Sequence, residues 1–71
     1  MIKNTFEEIM ETYKMLPFLE RQLVRQAAAK SLREQGAEEI GSSDTNHAIV
    51  SLYKQYGDFD EVLDSYYPIK R

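Results

Sequence analysis

Apolar residues recur along this chain at helical spacing, and no segment alternates as a half-buried strand would. Phe6, Ile9, Met10, Tyr13 and Leu16 form an i, i+3, i+4, i+7 series. Thr5 precedes it with Glu8 three residues on, the signature of a capping box, so the first helix is placed at about 5–15. Pro17 ends it, because the residue before a proline is pushed out of helical geometry. The same proline suits the first turn of a second helix, at about 17–35, and Gly36 suits the left-handed residue just past its end. On that helix Leu23, Val24, Ala27, Ala28, Ser31 and Leu32 fill one half of the wheel.

Ile40 is the one core anchor expected in the connector that follows. Ser42, Ser43 and Asp44 then supply capping chemistry for a third helix, at about 43–56, whose apolar face is Ala48, Ile49, Leu52, Tyr53 and Tyr56. Gly57 closes it. Asp58, with Glu61 three residues on, opens a short fourth helix at about 58–66, lined by Phe59, Val62, Leu63 and Tyr66. Pro68 stops that helix and leaves 69–71 as a loose tail. The expected fold is therefore all-α, a single small domain over 1–71. Three main helices and a short fourth pack around helix 2.

Composition narrows the function. A chain of 71 residues has a thin core, which small domains usually reinforce with disulfides, metals or self-association. With no cysteine and one histidine, disulfides, thiolate metal sites and thiol nucleophiles are excluded and a conventional transition-metal cage is disfavoured. Close packing and dimerisation are left. The formal net charge of −3 argues against nucleic acid as a default partner, since phosphate neutralisation dominates such binding. No apolar stretch is long enough to span a bilayer, and the first residues are too polar for a secretory signal, so a cytoplasmic location is expected.

Three groups of residues could carry chemistry. Ser43, Asp44 and His47 are triad residue types, but no strand–turn–helix elbow or glycine-rich oxyanion segment surrounds them, and capping is the expected use. The run from Asp58 to Asp64 opens like a calcium loop, yet it lacks the turn glycine and has Ile69 where the closing glutamate belongs. A capped acidic helix is the better reading. Arg21 and Arg25 sit at the edge of the apolar half of helix 2, where they either lay their stems on the core or pair with carboxylates. Asp58, Asp60, Glu61 and Asp64 are the pairing candidates, with Glu7, Glu8 and Glu11 as others. Tyr66 and Tyr67 are adjacent, cannot both face inward from one helix, and so leave one ring for an exposed or partner-covered patch.

Leu16-Pro17-Phe18, followed at fixed distances by Arg21, Val24-Arg25, Ala27, Arg33-Glu34, Gly36 and Ile40, resembles a known domain. It is the small helical domain at the C-terminus of the B subunit of light-independent protochlorophyllide reductase, which reads V-P-F-F-V-R-x-x-V-R-x-A, then R-E-x-G, then an I-T step. Leu19, Glu20 and Gly41 depart from that pattern, and the chain from about Ser51 onward has no counterpart in it. The resemblance implies an accessory helical domain related to one appended to a nitrogenase-like subunit of dark chlorophyll biosynthesis. Reductase chemistry does not carry over, because it depends on iron–sulfur clusters in larger domains and this chain has no cysteine. The expectation is a non-catalytic interaction module without cofactor that binds a partner protein or itself, with the helix 4 region, Tyr66 and Tyr67 as the partner surface. Two alternatives stay open. One is a tetrapyrrole-binding accessory using aromatics and Arg21 or Arg25, and the other is a weak nucleic-acid binder through Arg21, Arg25, Lys30 and Arg33.

Overall fold

The computed structural model describes residues 5–68, so the expected loose tail at 69–71 lies outside the described residues. Four helices follow one another: α1 (Phe6–Lys14), α2 (Phe18–Glu34), α3 (Ser42–Tyr56) and α4 (Phe59–Tyr66). No strand occurs among the described residues. The all-α bundle expected from periodicity is the observed fold.

Local chemistry sets the helix ends. At α1 the Glu8 N–H donates to Thr5 Oγ1 at 3.2 Å, and the same hydroxyl donates to Glu8 Oε1 at 2.8 Å. The Glu8 carboxylate thus holds the capping hydroxyl, where an amide had been expected. Pro17 stands outside α2 as its N-cap, with ψ at 151°, and Phe18 takes the first helical position. At the far end of α2 the Gly36 N–H donates to the Arg33 carbonyl and the Ala37 N–H to the Leu32 carbonyl, both at 3.0 Å. That paired closure needs a left-handed residue, and Gly36 supplies it with φ at +95°.

The cap of α3 falls one residue earlier than expected. Gly41 is the N-cap and Ser42 is already helical. The cause is Asp44, whose Oδ2 reaches back to accept the Gly41 N–H at 3.3 Å. Asp58 caps α4 as expected, accepting the Glu61 N–H at 2.8 Å.

The hub of the bundle is α3, not α2. It packs on α1, α2 and α4, whereas α2 packs mainly on α3 and α4. Ala48, Ile49, Val50 and Leu52 are all buried, so α3 carries apolar residues round more than one face. Val50 is the member the periodic reading missed. Around it close Ile9 and Tyr13 from α1, Val24, Ala27 and Ala28 from α2, and Phe59 and Val62 from α4. Phe59 anchors the aromatic part of this core, with the Tyr53 ring 4.9 Å away and the Tyr13 ring 6.1 Å away, both edge-on.

Candidate interaction surface

The α1–α2 junction is where the packing stops matching the hydrophobicity. Met15, Phe18 and Leu19 are 83%, 66% and 67% exposed, although each is large and apolar. Pro17 explains the placement. It forces a sharp start to α2, so Phe18 and Leu19 occupy the first turn before the helix reaches the core. At 100° per residue, both also point away from the side that carries Val24, Ala27 and Ala28. Isolated exposed apolar side chains are ordinary, but three within five residues form a patch.

Two clefts of opposite charge flank this patch. On one side, Lys14, Arg21 and Arg25 line a cleft of about 370 Å³ together with Phe18, Met10 and Asn46. No carboxylate among the described residues lines it. Arg21 lies with its guanidinium carbon 5.8 Å from the Phe18 ring centroid, while its backbone carbonyl accepts the Tyr13 hydroxyl at 3.3 Å. Its Nε is buried without a hydrogen-bond partner.

On the other side, Glu20, Asp60 and Asp64 line a groove of about 570 Å³ between α2 and α4. Leu19, Leu23 and Tyr67 form its apolar part, and no basic residue among the described residues lines it.

The expected site residues therefore divide. Arg21 and Arg25 come together, and Asp60 and Asp64 come together, but on opposite flanks of α2. Among the described residues neither arginine is paired with a carboxylate, so the ion pair considered from sequence is not made within the chain. Asp58 is occupied in capping, and Glu61 is exposed.

Tyr66 and Tyr67 are both half-buried, against the expectation that one would be turned out. Tyr67 lies past the end of α4 with φ at −135°, so the angular separation of neighbours on a helix does not apply to it. Its ring sits 5.4 Å from Lys30 Nζ, while Tyr66 packs edge-on against Tyr56 at 6.3 Å. Tyr13 and Phe18 share the Arg21–Arg25 cleft, whereas Tyr56, Tyr66 and Tyr67 line other clefts.

The four bases of α2 are also split. Arg25 and Arg33 share one shallow cleft, and Lys30 lies on the other flank over Tyr67.

The triad residue types are engaged in local contacts. The His47 Nδ1 lies 2.8 Å from the Ser43 carbonyl oxygen, the imidazole packs 5.0 Å from the Phe6 ring, and Asp44 is turned to the Gly41 amide. Among the described residues, no three histidine, cysteine or acidic side chains gather as a metal site, and no helix is long and apolar enough to cross a membrane.

Sequence reasoning missed Lys14, Met15, Leu19, Glu20 and Gln22 as surface residues of interest. The signal was available for Phe18 and Leu19, since neither falls in the half-wheel occupied by Val24, Ala27 and Ala28. The fold and surface define a small four-helix domain with a charged, apolar-centred face. No protein-family model, curated protein or solved structure matches the chain.

Proposed function

We propose that this chain is a non-catalytic interaction module whose working surface is the outer side of the first half of α2. The observation that carries this reading is the exposure of Met15, Phe18 and Leu19 between two clefts of opposite charge. An apolar centre with a charged rim is the usual anatomy of a protein-binding site. Burying one such side chain contributes about 1.5–3 kcal/mol, and charges of defined sign fix the register of the partner. The resemblance of residues 16–40 to an accessory domain of protochlorophyllide reductase agrees with a binding role and supplies no catalytic group.

This reading places the interaction at α1 and α2 and uses only Asp60 and Asp64 of α4, with Tyr67 just past its end. Differential capture tests it. Proteins retained from the native host by the wild-type chain should be lost with Phe18→Ser/Leu19→Ser and kept with Glu34→Gln, which lies elsewhere on α2. Identical capture by all three chains would overturn the reading.

A carboxylate-bearing small molecule in the basic cleft is the second reading, favoured by Lys14, Arg21 and Arg25 lining it beside Tyr13 and Phe18. Titration with a dicarboxylate or a porphyrin should then raise Tm for the wild type and not for Arg25→Gln.

A further inference from the structure

We infer that the partner seated on this surface is a second copy of the same chain, related by a two-fold axis in the interface that runs parallel to α2. The inference rests on the interaction reading and adds the occupant and its geometry.

Charge supplies the first argument. The basic flank carries Lys14, Arg21 and Arg25, and the acidic flank carries Glu20, Asp60 and Asp64, three charges against three. Both flanks lie at the same level along α2. The basic cleft spans Phe18 to Arg25, and the acidic groove spans Leu19 to Leu23. A two-fold axis parallel to the helix keeps that level and exchanges left for right. Each basic flank then faces the acidic flank of the other copy. A two-fold axis in the interface but perpendicular to α2 would set like charge against like, which costs several kcal/mol. Charge thus selects parallel α2 helices.

Apolar placement obeys the same operation. Phe18 belongs to the basic side and Leu19 to the acidic side, so the axis sets Phe18 of one copy beside Leu19 of the other. Gln22 and Gln26 lie about 40° and 80° round from Phe18, between the two flanks, and therefore next to the axis. Because the patch is complementary to itself, the contact closes at two copies and does not propagate. It also gives the Arg21 and Arg25 guanidinium groups the carboxylates they lack within one chain, namely Asp60 and Asp64 of the other copy.

Size is compatible. A standard interface takes about 800 Å² per partner, roughly 15% of the 5320 Å² that one copy exposes. Self-association is also one of the few reinforcements open to a thin-cored domain without cysteine.

Sedimentation velocity with charge-reversed chains tests the proposal. The wild type should reach dimer mass at concentrations on the order of 100 µM and dissociate as salt rises. Lys14→Glu/Arg25→Glu and Asp60→Lys/Asp64→Lys alter exposed residues. Each alone should self-associate about tenfold more weakly or worse. Mixed at equal amounts they should form a closed one-to-one pair far tighter than either variant's self-association, because both contacts are then between opposite charges.

Gln22→Cys, which leaves every charge in place, should oxidise to a covalent dimer, and Glu34→Cys should not. A wild type that stays monomeric, or a mixture that fails to pair, would overturn the second copy as occupant. If differential capture still held in that case, the interaction reading would stand and the partner would be a different protein. Pairing of the mixture with no Gln22→Cys cross-link would overturn the parallel arrangement.

Discussion

The inner and outer sides of α2 are built from the same classes of residue and do different work. On the inner side Val24, Ala27 and Ala28 are 0% exposed, small enough to let α3 and α4 approach closely. On the outer side Phe18 and Leu19, far larger, stay in water. Hydrophobicity alone does not say which residues hold a fold together. In this small bundle Phe18 and Leu19 of α2 lie off the core, while Val24, Ala27 and Ala28, with Leu32 packed against them, hold the helix in place. The difference teaches that the outer side is free for another task, because Phe18 and Leu19 stand outside the core.

Substitutions can break or sharpen that comparison, beginning where the effect is greatest. Ile49, fully buried on α3, faces the inner side of the bundle. Ile49→Ala should cost about 2–5 kcal/mol, much of the stability of so small a domain. Its circular dichroism should show a largely unfolded chain at room temperature.

Next comes the inner side of α2 itself. Ala28→Leu adds bulk where none of the surface is open, and overpacking should lower stability by about 1–3 kcal/mol in urea unfolding. Gly36→Ala should cost about 1–2 kcal/mol, because a Cβ there meets open space but must adopt a positive φ. Its effect comes from backbone geometry, which separates it from the packing losses. A smaller loss is expected at Lys30, an exposed residue that nonetheless belongs to the fold through Tyr67. Lys30→Ala should cost about 0.5–1 kcal/mol and leave association untouched, marking where the binding side ends.

Much of the fold could be read in the chain because the relevant signals are local. The Thr5 and Asp58 caps, the Gly36 closure and the faces of α1 and α4 all follow from spacing within one or two turns. Reading failed where geometry depends on another element. Val50 is buried because α3 is surrounded by three helices, a fact absent from its own periodicity. Tyr66 and Tyr67 are both half-buried because the backbone leaves the helix between them.

The candidate site was half visible. Arg21 and Arg25, and separately Asp60 and Asp64, stood out by charge, but their separation by the width of α2 is a tertiary fact. From sequence, pairing within one chain stood as one of two readings, beside stems laid on the core. The structure sets them on opposite flanks of α2, in separate clefts.

The central claim is that Phe18 and Leu19 serve binding and not folding. The direct measurement is on Phe18→Ser/Leu19→Ser, with urea unfolding of the dilute chain and sedimentation of the concentrated chain run side by side. The unfolding free energy of the dilute monomer should stay within about 0.5 kcal/mol of the wild type, while association is lost. A loss of stability as large as that of Ala28→Leu, with association unchanged, would contradict the account.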